Sequence, residues 1–393
     1  MKWINFLHFY QPANIESYSI GKALDKSYYR LLRLMEEHPN LRMTWNISGC
    51  LLVRLEDENK LDFIKRLASL VKSGRVELVG SAAYHGFLPL LPEAEVIRQI
   101  KTNEKILKKY FGKAFKPQGF FLPEMAYTPL VATIVKKLGY KWLILDEIAY
   151  DGGGHRPDDL GNYVDANSGL KIIFRSRNAS SAYPPDKLMA KLAVKTAINE
   201  IIITATDAEL YGLRHEDPTA EMEKLAGHKK LETETISSFL KSLVKIKPQK
   251  IKIVACSWES SKKELEKNEP FKLWQDKKNK IHLNLWKLTA LAISLHDKYK
   301  NDKNHAWYYW HLVRGIASCT FWWASARDFS KIFGPYAWNP DGIERGLEDL
   351  IRAVRSLNDK KTKKVKLEAE KYYLKTKQLI WEEHWKNHWK NID

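Results

Sequence analysis

Two carboxylates in this chain fall where strands should end and helices have not yet begun. Glu124 lies in the stretch GFFLPEMAY, residues 119–127. Gly119, Phe120, Phe121 and Leu122 read as a buried strand, and Pro123, with no amide hydrogen to give a ladder, stops it. Glu124 is therefore expected at the C-terminal rim of a strand, where α/β folds built on parallel strands mount ligand-binding and catalytic side chains. No charge partner adjoins it in sequence. An exposed loop glutamate and an aid to the N-cap of a helix at 129–138 are the other readings of this residue. Asp207 and Glu209 follow the run IIITAT inside ATDAELYG, residues 205–212 for the motif itself, and share one side if the extended geometry persists. Asp146 and Glu147 end a third run, at 142–145, and rival the others for a catalytic role. His8, Tyr10, His85 and Trp258 add rings near strand ends. Two isolated carboxylates on different strands, with aromatics around them, are what chemistry at a glycosidic bond requires. One attacks or stabilises the anomeric carbon; the other protonates the leaving oxygen and then activates the incoming nucleophile.

The elements that must position these groups alternate. Residues 2–10 read as a strand, with Ile4, Phe6, His8 and Tyr10 on one side and Leu7 and Phe9 on the other, ended by Gln11-Pro12. A helix over 23–38, a strand over 42–47 ending at Ser48-Gly49, and a helix over 59–73 closed by Gly74 follow. The strand over 75–79 contains Glu77, and His85 lies past its end. Pro92 opens a helix to about Tyr110. Beyond Glu124 come the helix at 129–138 and the strand at 142–145. The loop DGGGHRPDDLG, 151–161, lacks the Gly-Lys-Ser/Thr ending of a phosphate loop and reads as a mobile segment over a site. Strands at 163–165 and 171–175 flank the turn Asn167-Ser168-Gly169. A helix over 186–198, the strand over 200–206 and a strand over 252–255 ending at Cys256-Ser257-Trp258 complete the series. From about residue 270 helices dominate, at 281–299, 304–318, 342–356 and near 362–390, and are dense in Trp and Tyr. The pattern predicts a mostly parallel, barrel-like α/β domain over 1–265 and a helical region over 266–393.

Composition narrows the partners. Lys and Arg number 65 against 47 Asp and Glu, a net charge of +18, but the lysines are scattered and no nucleic-acid motif accompanies them. A solvated surface is the reading, with no nucleic-acid partner. Cys50, Cys256 and Cys319 are far apart and odd in number, which suits reduced thiols in a cytoplasmic protein. His384 and His388 have metal-like i, i+4 spacing but no third ligand, so no metal and no cofactor are expected. The segment MKWINFLHFYQP does not read as a signal peptide, and no stretch is long enough to span a membrane.

Five stretches, in order, resemble the motifs of glycoside hydrolase family 57: LHFYQP at 7–12, VELVGSAAYH at 76–85, GFFLPEMAY, ATDAELYG, and IASCTFWWAS at 316–325. The third and fourth are the most specific. The resemblance implies an incomplete seven-stranded (β/α) barrel followed by a C-terminal helical bundle that completes the cleft. It implies a retaining hydrolase of α-1,4-glucans, of the amylase type, with Glu124 as nucleophile and Asp207 as general acid/base. His8, Gln11, Glu77 and His85 would hold sugar hydroxyls or orient the carboxylates, Glu209 would support them, and Trp258, Trp322 and Trp323 would be sugar platforms. Tyr10 departs from the family's His-x-His-Gln-Pro, and Cys319-Thr320-Phe321 replaces its usual Ser-Asp pair. Members also act as 4-α-glucanotransferases, branching enzymes or α-galactosidases. From other classes, a metal-dependent polysaccharide deacetylase and a glycan-binding protein without catalysis stay open. The expected partner in either case is an oligo- or polysaccharide.

Overall fold

The computed structural model describes residues 1–194, 200–325 and 338–388. The chain divides into two units. The first comprises Met1–Gln11, Ile15–Ala83 and Pro92–Lys262; the second comprises Pro12–Asn14, Tyr84–Leu91 and the chain from Lys263 onward.

The first unit is built on β1 (Lys2–Phe9), β2 (Met43–Ile47), β3 (Val76–Leu78), β4 (Gly119–Phe120), β5 (Trp142–Asp146), β6 (Tyr163–Asp165), β7 (Lys171–Arg175), β8 (Ile201–Asp207), β9 (Glu232–Thr233) and β10 (Gln249–Ile251). They form two sheets, ordered β3-β2-β1-β8 with β9 also on β1, and β10-β6-β7-β5-β4. All pairs are parallel except β6–β7, the hairpin around Asn167-Ser168-Gly169. Backbone hydrogen bonds also cross from sheet to sheet. Gly80 N donates to Gly119 O (3.0 Å) and Phe121 N to Gly80 O (2.9 Å), joining the end of β3 to β4; Ser176 N donates to Ile203 O (2.9 Å), joining the end of β7 to β8.

The alternation of side chains along each strand separates two apolar clusters. Trp3, Leu7 and Phe9 of β1 pack with Met43, Trp45 and Ile47 of β2 and with helix residues such as Leu31, Leu32, Leu51, Phe63 and Leu67. Ile4 and Phe6 face the other way, into a cluster with Val79, Phe121, Ile144, Ile173, Ile203 and Ala205. Strands buried on both faces explain why the runs are apolar almost throughout. The strand registers carry this second face upward to one level of polar groups. His8 pairs with Asn46 on one side and Asp207 on the other, and Asp146 pairs with Arg175.

Several elements differ from the sequence expectation. Helix Gly49–Asp57 starts directly after β2, where only a strand end was expected. The helix expected over 23–38 is an α-helix, Ser17–Ala23, then a π turn, Leu24–Tyr28, then an α-helix, Tyr29–Glu37. The strand expected over 252–255 is replaced by β10, because its partner β6 stops at Asp165, where the hairpin turns, and leaves 252–255 without a ladder. The helix expected over 186–198 is Pro184–Leu192, and residues 195–199 lie outside the described residues. In the loop 151–161, Asp151 Oδ1 accepts from the amides of Gly153 (3.0 Å) and Gly154 (2.8 Å).

In the second unit, helices Lys280–Lys298, His305–Gly315, Pro340–Ser356 and Lys363–His388 pack on one another, burying Leu285, Leu288, Leu312, Leu347 and Leu350. The expected helix 304–318 breaks because Ala317 is extended and bridges to Gly86; Ser318–Trp322 is a separate short helix. Of the expected helix near 362–390, residues 389 and 390 lie outside the described residues. No described helix is long and apolar enough to cross a membrane.

Candidate active site

At the carboxyl end of β1, His8 is 2% exposed and sits on the apolar cluster, its ring 4.6 Å from that of Phe121 and 6.3 Å from that of Trp258. Its Nδ1 lies 2.7 Å from Asn46 Oδ1, which accepts from it. Burial lowers the imidazole pKa, against the opposing pull of Asp207, so His8 favours the neutral form.

At the end of β8, the carboxylates of Asp207 and Glu209 have opposite surroundings. Asp207 is about a quarter exposed (24%) and its Oδ2 accepts from Arg214 Nη1 at 2.7 Å. Glu209 is buried, and its Oε1 accepts from Gln11 Nε2 at 2.8 Å and from the Tyr28 hydroxyl. Burial pushes the Glu209 carboxyl up to about 7. Burial and the Glu209 charge likewise hold the Tyr28 phenol well above its ordinary range, which keeps it a donor. The π turn brings Tyr28 here: the preceding Ser27 Oγ donates to Ala208 O at 2.5 Å. Gly212, at φ +115°, has no Cβ because one would run into the Lys26 carbonyl.

Glu124 follows β4 in the left-handed region, φ +61° and ψ 15°, with Met125 also at positive φ. Non-glycine residues held there are uncommon and cluster at sites where the surrounding structure imposes them. Trp258 is hydrogen-bonded to both the backbone and the side chain of Glu124. Its amide donates to Glu124 O at 3.0 Å and its indole Nε1 to Glu124 Oε2 at 2.9 Å. Trp258 also lines a cavity of about 400 Å³ together with Asp207, Thr206, Arg175, Arg177 and Arg214.

The structure thus brings His8, Gln11, Glu124, Asp207, Glu209 and Trp258 into one connected set. It does not bring Glu77 there. Glu77 pairs with Thr44, which pairs with Phe6, two positions short of His8. Its carboxylate accepts from Thr44 Oγ1 (3.1 Å), from Ser237 N (3.0 Å) and from the Ser237 hydroxyl, which anchors the start of helix Ile236–Ser242. Burial raises its pKa. Asp146 is wholly buried and ion-paired to Arg175 and Arg177, a structural joint in place of the rival catalytic group expected. In the second unit, His85 Nδ1 lies 2.8 Å from Ser318 Oγ. Trp323 is 8% exposed and packs where Gly342 has no Cβ, whereas the adjacent Trp322, the last residue of the short helix, is half-buried. His384 is buried beside Trp338, whose indole donates to its Nδ1 at 3.4 Å, while the side chain of His388 lies outside the described residues.

Sequence reasoning missed Arg175, Arg177, Arg214, Asn46 and Tyr28. Asn46 was open to discovery, since TWNI places it two residues before a strand-ending Ser-Gly. Arg175 and Arg177 were not, because only strand pairing sets them against Asp146.

Residues 4–255 match the profile of the family described as Glycosyl hydrolase family 57. An α-amylase of Pyrococcus horikoshii is 29% identical over 206 residues, 51% of this chain and 31% of that protein. A 4-α-glucanotransferase of Thermococcus litoralis is 28% identical over 226 residues, 55% of this chain and 32% of that protein. The chain thus aligns with about a third of the length of these curated relatives. The crystal structure of a GH57-type branching enzyme from Pyrococcus horikoshii superposes with a TM-score of 0.68 at 18% identity, covering 95% of this chain and 94% of that one, which is likeness of fold.

Proposed function

The chain belongs to glycosyl hydrolase family 57, and from that premise we propose that it hydrolyses α-1,4-glucosidic bonds with retention, Glu124 acting as nucleophile and Asp207 as general acid/base. One observation carries the reading: Trp258 donates to the Glu124 carboxylate and itself lines the cavity that Asp207 lines, which links the two carboxylates through one indole. A retaining pair needs its carboxyls roughly 5 Å apart. Glu124 Oε attacks the anomeric carbon while Asp207 gives its proton to the departing glycosidic oxygen. The resulting glycosyl ester is then opened by water, whose proton returns to Asp207, and Glu124 is regenerated. His8, neutral and held by Asn46, and Gln11, held by Glu209, are suited to hydrogen-bond sugar hydroxyls. The scaffold is read as the incomplete seven-stranded (β/α) barrel, made of β1–β5, β7 and β8, a reading that the backbone hydrogen bonds between the two sheets support.

The relatives' names divide between hydrolysis and transfer, and the two outcomes share the first step. Incubation with maltooligosaccharides, followed by proton NMR of the anomeric signals and product sizing, tests the proposal. Shorter sugars released first as the α-anomer are expected. Inverted product overturns Glu124 as nucleophile, and longer sugars without net reducing ends assign transfer in place of hydrolysis.

A further inference from the structure

Asp146 ends β5 fully buried and takes no part in the steps above. Two guanidiniums from the end of β7 and just beyond occupy its oxygens, Arg175 Nε at 2.8 Å and Arg177 Nε at 2.5 Å. Both arginines then hold the segment that carries Trp258. Arg177 Nη2 donates to the carbonyls of Trp258 and Ser260, each at 2.8 Å. Arg175 lies over the Trp258 ring, 5.0 Å from its centroid, and its Nη1 donates to Ala205 O at 2.8 Å, two residues before Asp207. The indole is therefore fixed through its backbone and across its face. What it fixes in turn is the carboxylate of Glu124, on a backbone at φ +61°.

We propose that Asp146 and Arg177 are positioning residues: they lock the Trp258 indole, and through it set the angle at which Glu124 meets the anomeric carbon. The inference rests on the reading of Glu124 as nucleophile. It needs a guanidinium, because one planar group must meet a carboxylate with Nε and two carbonyls with Nη2. The ammonium of a lysine is a point charge on a flexible stem and does not span that set. Misplacing a reacting group by about 1 Å costs on the order of a hundredfold in rate, which sets the scale of the effect.

A mutant cycle tests this. Arg177→Lys, Trp258→Phe and the double variant are compared with the wild type for kcat and KM on maltooligosaccharides, with Glu124→Gln and Asp146→Asn alongside. Arg177→Lys and Trp258→Phe should each lower kcat by roughly 10- to 100-fold, and Arg177→Lys should leave KM within about threefold. The double variant should be no slower than Trp258→Phe alone, because a residue acting through the indole has nothing left to position. A residue that merely supports the fold would give losses that multiply. Should Asp146→Asn fail to fold, Arg177→Lys carries the test, since that side chain is 33% exposed and keeps its charge opposite Asp146. Multiplying losses, or wild-type kcat in Arg177→Lys while Glu124→Gln is inactive, overturn the positioning role and leave the nucleophile standing. An active Glu124→Gln protein overturns the nucleophile itself.

Discussion

The ends of β5 and β8 are built from the same ingredients, aspartate beside arginine, and use them differently. At β5, Asp146 is shut away from water between two guanidiniums, and both of its oxygens are held. At β8, Asp207 meets one guanidinium at a carboxylate that stays partly exposed on a cavity wall. The first arrangement joins strands and leaves no oxygen for exchange with a substrate. The second leaves a carboxylate partly open to the cavity. Residue type and strand position are the same in both cases; what differs is how completely the carboxylate is satisfied.

Four variants sharpen or break this contrast. The largest effect is expected at Glu124: Glu124→Gln should lose activity on the order of 10⁴-fold or more, with circular dichroism and sugar binding retained. Next, Asp207→Asn should slow turnover of natural substrates by about 10²- to 10⁴-fold. Added azide, which needs no general base, should restore turnover of a substrate with a good leaving group and give a product of retained configuration. The same substitution should change stability by less than about 1 kcal/mol, as partly exposed ion pairs do. Asp146→Ala reverses the pattern. It strands two guanidiniums, and chemical denaturation should show a loss of about 3–5 kcal/mol; a loss as small as that of Asp207→Asn would end the comparison.

The last of the four concerns Glu209. Its folded pKa, raised by burial to about 7, exceeds the unfolded value. The folded state therefore binds more protons than the unfolded state between roughly pH 4.5 and 7, and stability falls as pH rises through that window. Glu209→Gln stays neutral and lacks that slope. Its stability relative to wild type should rise by on the order of 1–3 kcal/mol between pH 5 and pH 8, read from urea midpoints. Parallel profiles for the two proteins would mean that Glu209 is ionised throughout.

Much of this site could be read along the chain, because strand ends are local events. The alternation Ile4, Phe6, His8 assigned His8 to the face that packs against Phe121, whereas the strand before Glu124, expected to run to Leu122 and stop at Pro123, already ends at Phe120. Glu77 misled for a different reason. Its strand was legible, but its partner Ser237 lies 160 residues away and nothing in VELVG announces a helix start docking there. Arg175 and Arg177 look like ordinary polar residues closing a hairpin. Only the order β4-β5-β7 turns them into partners of Asp146. Local periodicity reports which face a residue occupies, and pairing between distant strands decides what it meets there.

The π turn at Leu24–Tyr28 makes this region tolerant of one kind of change and intolerant of another. Such a turn is an α-helix carrying one residue too many. Deleting a single codon within it would restore ordinary helical winding and rotate the residues on either side by about 100° relative to each other. The helix Tyr29–Glu37 is anchored by Leu31, Leu32 and Met35 in the core, so the turn itself would have to give way. Ser27 and Tyr28 would swing off Ala208 and Glu209, and the seal over that carboxyl would open. Length matters here as much as identity: substitutions at the exposed Asp25 and Lys26 should survive where in-frame losses of one residue do not.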